Sequence, residues 1–346
     1  MPLFQPASDP PTKLGVHRVL SSRAGVMVSP LVFGAMSISD KWEALGMGSM
    51  NKESNLKLLD ADYDMGGNFI DTANNYQDET SEEFVGELAE KRGLRDQLYS
   101  MNYKRADDAV AQKINYVGNN TKSMHLSTSI AEVMDSLHNR VASQKVLYLG
   151  ASDNPRYAMD HGKTPFVIYQ GKWNILDRSF EREIIPMARS LGLVLAPSYV
   201  LAEGRLRTDA EEQQHRETEE KGPMLSHENL ERTEVEIKAS KALEKVAAEV
   251  GVGFSTTMAV VAIAYVMQKT TNVFPIIGGR KVEHLKLNLD ALDITLSKEQ
   301  IEYLDGAVPF DPGFSTTMVG DGSTYNIFLA STAKMAKLPA LQPIEP

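Results

Sequence analysis

Residues 68–87 read NFIDTANNYQDETSEEFVGE, and this stretch decides the fold class. The apolar residues at its start predict a short strand that ends at Asp71, and Ser81 is placed to cap the helix that follows. A strand that leads directly into a helix is one unit of an α/β fold. Tyr76 lies in the connecting loop, which in a parallel barrel is where functional side chains gather.

The same alternation of strand and helix runs along most of the chain. Apolar runs predict six strands, at residues 31–36, 68–71, 145–151, 166–170, 193–197 and 273–277. Helical spacing predicts helices at 53–65, 81–91, 129–143, 181–191, 233–250, 256–269, 282–289 and 297–307. Short loops join these units, so we expect an α/β fold of the (β/α)8 TIM-type barrel, with helices outside a parallel sheet.

One region interrupts the pattern. Between Arg95 and Ser129 there is no convincing strand of four or more apolar residues, so a long loop is predicted there. A barrel of this type has eight strands, and only six are predicted. We therefore expect the barrel to be incomplete around its third and fourth strands.

The chain is expected to form one barrel domain, residues 1–346. Residues 17–20 and 26–28 flank a polar turn, and they predict a hairpin within residues 1–30 that caps one end of the domain. Residues 308–346 are expected to form a C-terminal tail. The sequence leaves the oligomeric state open.

Composition narrows the class of protein. The chain is 42% hydrophobic and 24% charged, as globular proteins are, and its net charge of −10 argues against nucleic acid or an anionic membrane as partner. It has no cysteine, which removes disulfides and thiolate metal sites. With no signal-like or membrane-spanning run, we expect a cytoplasmic protein that acts on a small molecule.

Asp71 and Tyr76 supply the first chemical hypothesis. A phenol close to a carboxylate can serve as a proton donor when its pKa is lowered. The same two residues also fit a structural role, in which Asp71 caps a turn and Tyr76 packs on the rim. These residues alone leave both interpretations open.

Five segments, in register along the chain, resemble the aldo-keto reductase superfamily. They are GAMSISDKW (34–42), FIDTANNYQDETSEE (69–83), VLYLGASDNP (146–155), TPFVIYQGKWN (164–174) and FPIIGGRKVEHLKLNLDAL (274–292). The branch that they resemble is that of fungal aryl-alcohol dehydrogenases and norsolorinic-acid-reductase-like enzymes. The similarity runs from about Leu14 to the last predicted helix.

The resemblance implies NADP(H)-dependent reduction of an aldehyde or ketone, or the reverse alcohol oxidation. The branch implies an aryl or polyketide-like substrate in secondary metabolism. In this family a tyrosine gives a proton to the carbonyl oxygen, and the motif match assigns that role to Tyr76. It assigns to Asp71 the holding of an activating lysine, and it places Trp173 at the substrate mouth.

The resemblance also implies a set of cofactor contacts. Ser152, Asp153 and Gln170 match positions that bind the nicotinamide amide. The Gly278-Gly279 turn precedes a helix N-terminus, which suits a phosphate. Arg280 and Lys281 follow this turn and could pair with the 2′-phosphate of the cofactor. His284 stands where many relatives have an arginine, and Asn288 matches the position that contacts the adenine. Without the family context, this segment equally fits a solvated basic turn.

Two pieces of the family's machinery are absent. Relatives carry an Ala-Thr-Lys-Tyr strand after the segment RDQL, whereas here RDQL (95–98) runs into YSMNYK. A later strand ending in Tyr-Val-His is missing between Ser127 and Thr128, and a helix is shortened after Pro155. Lys104 lies downstream of the expected lysine, and the role is not transferred to it.

These losses lead to two hypotheses. The first is a reductase with weak or altered activity. The second is a catalytically degenerate paralogue or mis-spliced form that binds a nucleotide without catalysis. A metal-dependent hydrolase is disfavoured, and no metal is expected, because no His-x-His or Asp/His cluster stands at a strand end.

Overall fold

The computed structural model describes residues 7–47, 49–102, 112–117, 129–153, 162–218, 231–251, 257–314 and 316–319, with a few isolated positions beyond them. Lys104 lies outside the described residues.

Ten strands form two sheets in this part of the chain. They are β1 (Arg18–Ser21), β2 (Ala24–Val28), β3 (Val32–Gly34), β4 (Phe69–Thr72), β5 (Tyr99–Asn102), β6 (Gln112–Val117), β7 (Tyr148–Ser152), β8 (Phe166–Lys172), β9 (Val194–Ser198) and β10 (Ile276–Ile277). β1 and β2 pair as an antiparallel hairpin. The other eight strands form one parallel sheet in the order β10-β3-β4-β5-β6-β7-β8-β9.

Ten α-helices occur among the described residues. They are α1 (Lys52–Asp64), α2 (Thr80–Arg92), α3 (Ile130–Ala142), α4 (Ile184–Leu191), α5 (Asp209–Thr218), α6 (Glu234–Val250), α7 (Met258–Gln268), α8 (Val282–Leu289), α9 (Lys298–Ala307) and α10 (Thr316–Val319). All except α5 and the short α10 lie where helical spacing predicted them, with ends that differ by a few residues. Strand and helix therefore alternate around a parallel sheet, as expected.

The sheet is strongly curved. β4 and β8 are four steps apart in the strand order, which would separate them by roughly 19 Å in a flat sheet. Nevertheless, Nε2 of Gln170 on β8 donates a hydrogen bond of 3.2 Å to Oδ1 of Asp71 on β4. These two strands must therefore face each other across the inside of the curve.

The segment that contains β10 hydrogen-bonds on both of its sides. On one side, the backbone N–H of Val32 in β3 donates to the carbonyl oxygen of Pro275 at 2.9 Å. On the other side, Leu195 of β9 donates to the oxygen of Asn272 at 3.0 Å and accepts from the N–H of Phe274 at 2.8 Å. Residues 272–277 thus link the two ends of the strand order.

The prediction that the sheet is incomplete at its third and fourth strands is wrong. β5 pairs with β4 from Phe69↔Tyr99 to Thr72↔Asn102, and β6 lies between β5 and β7. Parallel pairing is made by backbone groups, and an unfilled gap would leave the N–H and C=O groups of β4 and β7 without ladder partners. Segments with little apolar character therefore occupy the places where family strands are missing.

The hairpin packs against one end of the curved sheet. Its residues Leu20, Ala24 and Val28 are buried in the same cluster as residues from the sheet interior. The buried interior residues of that cluster are Val32, Phe69, Met101, Val167, Ile168, Val194, Ala196 and Phe274. A second, larger cluster fills the space between the sheet and the helices.

Several helix starts follow from side-chain caps. Thr233 with Glu236, and Ser297 with Gln300, form capping boxes in which each side chain bonds the other residue's backbone N–H. α5 was missed because its residues are polar apart from Ala210, so it shows no apolar residues at helical spacing. The helix is held by its buried residue Glu212, which pairs with Arg207 before the helix and with Arg232 after it.

Within the described residues, no helix is long and apolar enough to cross a membrane.

Candidate active site

Asp71 is the best-buried acid at the carboxyl ends of the strands. It lies in β4 and is 3% exposed. Burial raises the pKa of its carboxyl from 3.8 to about 7, against a smaller lowering by the hydrogen bond from Gln170. The carboxyl is therefore partly protonated near neutral pH.

Tyr76 follows β4 in a short 3₁₀ turn and is half-buried. Burial raises the pKa of its phenol well above 10, and the nearby Asp71, Tyr199 and Asp153 raise it further. These interactions bring together the tyrosine and the acid that the sequence analysis singled out. The phenol keeps its proton at neutral pH but is a weak acid.

The loop that carries Tyr76 has an unusual backbone. The three residues after it, Gln77, Asp78 and Glu79, have φ of 52°, 55° and 77°. Left-handed φ is costly for residues with a Cβ, and it persists where the surroundings fix it, often at functional sites.

The loop between β3 and α1 packs over the loop that carries Tyr76. The indole of Trp42 meets the Tyr76 ring edge to face, with centroids 6.2 Å apart. The Trp42 Nε1–H donates to Oδ1 of Asp78 at 3.2 Å. The loop between β3 and α1 therefore forms one wall beside the phenol.

Ser152, Asp153 and Gln170 come together at the ends of β7 and β8. The hydroxyl of Ser152 donates to Oδ2 of Asp153 at 3.1 Å, and the N–H of Asp153 donates to the carbonyl oxygen of Gln170 at 3.2 Å. Desolvation raises the pKa of Asp153, against the effect of the Ser152 hydroxyl. Because Gln170 also bonds Asp71, the three residues adjoin the acid and the phenol as one group.

Tyr199 was not singled out from the sequence, yet it belongs to this mouth. It has φ of 57°, its ring lies 5.8 Å from Nζ of Lys172, and its carbonyl oxygen accepts from Nδ2 of buried Asn174 at 2.8 Å. Its position just after the strand predicted at residues 193–197, where functional side chains gather in a parallel barrel, was the available signal. A left-handed tyrosine is not visible in sequence spacing.

Trp173 does not line the substrate mouth, so that prediction is wrong. Its side chain is fully buried, stacks on Phe180 with centroids 5.8 Å apart, and donates to Oε1 of Glu181 at 3.3 Å. Side chains alternate between the two faces of a strand. Gln170 faces the inside of the curved sheet, so Trp173, three positions later, faces the helices.

Glu181 belongs to a partly buried ion cluster on that outer side. Nζ of Lys269 lies 3.2 Å from Glu181 and 2.7 Å from Asp305, and the guanidinium of Arg178 bonds Glu181 at 2.7 Å. Tyr265 also donates its phenolic proton to Asp305. The cluster is structural, and it ties the loop after β8 to α7 and α9.

The segment after β10 presents cations at the start of α8. Arg280, Lys281 and His284 are exposed there, and Lys281 is the N-cap residue. Gly278 and Gly279 precede them in the turn. Asn288 lies on the buried side of the helix, so its contact with an adenine ring stays a prediction.

The part of the chain that the structure describes contains no group of three or more His, Cys, Asp or Glu side chains arranged to hold a metal ion.

The model of the aldo/keto reductase family matches residues 30–125 and 115–309. The chain therefore belongs to the aldo/keto reductase family. The two matched pieces meet in the region where the sequence analysis found family segments missing.

Two relatives align over nearly the whole chain. An aryl-alcohol dehydrogenase [NADP(+)] of Phanerodontia chrysosporium is 51% identical over 386 residues, covering 100% of both chains. A norsolorinic acid reductase of Aspergillus flavus is 40% identical, covering 98% of this chain and 96% of its own. The first alignment is 40 positions longer than the 346-residue chain, which agrees with internal losses relative to that protein.

A solved structure shows the same fold. The glycerol dehydrogenase AKR11B4 of Gluconobacter oxydans superposes with a TM-score of 0.65 at 18% identity, covering 86% of this chain and 98% of its own. Together with the family match, this similarity implies a (β/α)8 barrel.

Proposed function

We propose that this protein carries out NADP(H)-dependent reduction of an aldehyde or ketone, or the reverse alcohol oxidation, on an aryl or polyketide-like substrate. The observation that carries the proposal is the full-length 51% identity to an NADP(+) aryl-alcohol dehydrogenase. The norsolorinic acid reductase relative supports a polyketide-like alternative and a setting in secondary metabolism. The cytoplasmic location expected from the sequence remains a prediction.

The side chains at the strand ends fit a nicotinamide carboxamide. Ser152 offers a hydroxyl, Asp153 a carboxylate and Gln170 an amide, and these three donors and acceptors adjoin one another. When bound, the cofactor supplies the hydride for the carbonyl carbon. The residues would hold the ring so that the substrate carbonyl lies beside Tyr76.

The turn before α8 fits the phosphate end of the cofactor. Gly278 and Gly279 have open space around their Cα atoms, since an added Cβ would meet nothing closer than 3.7 Å. Arg280 and Lys281 add two exposed cations beside a helix N-terminus, where backbone N–H groups attract anions. We assign these four residues to the phosphates, with His284 and Asn288 beyond them.

In this mechanism Tyr76 donates the proton that the carbonyl oxygen acquires. Among the described residues, the charged groups that act on its phenol are Asp71 and Asp153, and both raise its pKa. No family lysine offsets them at the matching position of the sequence. Since well-tuned acid catalysis contributes on the order of 10²- to 10⁴-fold, we expect carbonyl reduction to be slower than in full-length relatives by about that factor.

The raised pKa of Tyr76 also favours a second candidate, a nucleotide-binding protein without catalysis. NADPH binding and reduction of benzaldehyde by the purified chain separate the two. Binding with slow reduction supports the enzyme, and binding without reduction supports the alternative. An absence of NADPH binding, measured as no shift in melting temperature, contradicts both.

A matched pair of variants tests the assigned phosphate site. Arg280→Gln removes a cation at the start of α8, and Arg95→Gln removes one that pairs with Glu90 on the surface. Only Arg280→Gln should weaken the binding of NADPH, by about tenfold, and it should weaken the binding of NADH less. Equal affinities in the two variants would remove Arg280 from the site.

A further inference from the structure

Gln77 is fully buried, and its side-chain amide joins the two loops at the mouth. Its Nε2 donates to the carbonyl oxygen of Met36 at 3.0 Å, and its Oε1 accepts from the backbone N–H of Trp42 at 2.9 Å. Both partners lie between β3 and α1, whereas Gln77 lies between β4 and α2. One side chain therefore fastens the loop between β3 and α1 to the loop between β4 and α2.

The same residue begins the left-handed run. Gln77 has φ of 52°, and its carbonyl oxygen accepts from the hydroxyl of Thr80 at 2.7 Å. The Thr80 hydroxyl also lies 2.7 Å from the hydroxyl of Ser39, in the loop between β3 and α1. A left-handed backbone at such residues persists only when the surrounding structure holds it in place, and these hydrogen bonds supply that support.

The contacts of Trp42 connect it to the two hydrogen bonds of the Gln77 amide. Its backbone bonds the amide of Gln77, its indole N–H bonds Asp78, and its ring packs on Tyr76. We propose that Gln77 is a positioning residue, which holds the Trp42 indole and the Tyr76 phenol in one orientation at the barrel mouth. The inference rests on the proposed function for the role of Tyr76, but the orientation itself does not.

An amide is required at position 77 because it must donate on one side and accept on the other. A methionine would fill similar space and lose both bonds, which would leave the carbonyl of Met36 and the N–H of Trp42 without these partners. A glutamate would keep the acceptor, and it would donate to Met36 only when protonated. The two substitutions therefore test different halves of the bridge.

The chain contains a matched control. Gln268 is also buried, and its amide likewise donates to a backbone oxygen, of Ile294 at 2.9 Å, and accepts from a backbone N–H, of Leu296 at 2.8 Å. It joins α7 to the segment before α9. Gln77→Met and Gln268→Met should lower the melting temperature by similar amounts, of several degrees.

Tryptophan fluorescence supplies a direct readout. The chain has two tryptophans, and Trp173 is fully buried, so quenching by acrylamide reports on half-buried Trp42. Gln77→Met should raise the Stern–Volmer quenching constant at least twofold and lower kcat/KM for benzaldehyde about tenfold. NADPH affinity should change less than threefold. Gln268→Met should leave both the quenching constant and kcat/KM unchanged.

Gln77→Glu provides the rescue. At a pH low enough to protonate the glutamate, quenching should return toward the wild-type value, and it should rise as the group ionises. Equal quenching constants in wild type and Gln77→Met, or an equal rise in Gln268→Met, would overturn the inference. If the chain does not bind NADPH, the proposed function fails while the fluorescence result still decides the role of Gln77.

Discussion

The side-chain amide of Gln170 donates to the carboxylate of Asp71 at 3.2 Å, although the two residues are 99 positions apart in the chain. This bond spans the inside of the curved sheet and joins the group of Ser152, Asp153 and Gln170 to the acid beside Tyr76. It favours the ionised form of Asp71, but burial acts more strongly in the opposite direction. The mouth therefore contains a carboxyl that titrates near neutral pH.

The first prediction concerns stability and pH. Burial raises the pKa of Asp71 and of Asp62 from 3.8 to about 7. Between pH 4 and 7 the folded chain therefore binds more protons at these groups than the unfolded chain does, so their effect makes the free energy of unfolding fall as pH rises through 7. Asp62→Asn should reduce this fall by a few kcal/mol.

Urea denaturation at pH 5 and pH 8 measures the effect. The difference in unfolding free energy between the two pH values should be smaller in Asp62→Asn than in the wild type. A variant with the same difference as the wild type would show that Asp62 does not contribute to it.

The second prediction concerns Gly67, which lies just before β4 and packs closely against Asp62. A Cβ added to Gly67 would lie 2.2 Å from Oδ2 of Asp62 and 2.9 Å from its backbone oxygen. Gly67→Ala should therefore destabilise the fold by on the order of 3 kcal/mol. Gly306→Ala is the control, because that glycine lies in α9 with open space around it, and alanine should stabilise by about 0.5–1 kcal/mol. Thermal unfolding of both variants checks the opposite signs.

The third prediction concerns the partly buried ion cluster. Lys269→Met removes the ammonium shared by Glu181 and Asp305 and leaves Arg178 as their remaining cation, which should cost about 1.5–3 kcal/mol. Lys298→Met removes a lysine that is 83% exposed and pairs with Glu302, and it should change stability by less than about 0.5 kcal/mol. Similar losses in the two variants would mean that the cluster contributes little.

The fourth prediction concerns the proposed acid. Tyr76→Phe removes the phenolic hydroxyl and keeps the ring beside Trp42. The remaining carbonyl reduction should fall further, by about tenfold, because the carbonyl oxygen loses its proton donor and most of the acid catalysis is already lost with the family lysine. The melting-temperature shift with NADPH should persist, since Tyr76 is not assigned to cofactor binding. Undiminished reduction by this variant would transfer the acid role to another group.

Much of the fold was predictable from the sequence because buried parallel strands are short apolar runs. The strand that ends at Asp71 and the strand that ends near Gln170 were placed within a residue or two. Tyr76, Asp71, Ser152, Asp153 and Gln170 lie together because strand ends in one parallel sheet meet at one edge.

The remainder depended on interactions that local patterns do not record. β5 and β6 form by backbone pairing with neighbouring strands, although their segments are not apolar runs. The family match placed Trp173 at the mouth, whereas its contacts with Phe180 and Glu181 hold it on the opposite face. Gln77 shows no sequence signal, since its importance comes from two partners about 40 positions away.

The linkage of residues 272–277 to both β3 and β9 has a consequence for biosynthesis. Val32 of β3 and its partner Pro275 are separated by most of the polypeptide, so this pairing waits until nearly the whole chain has left the ribosome. Until then, the nascent protein displays two unsatisfied strand edges that are open to association with other chains. Truncation upstream of residue 272 should therefore yield aggregates rather than a smaller stable protein, and production in cells should depend on chaperones that shield those edges.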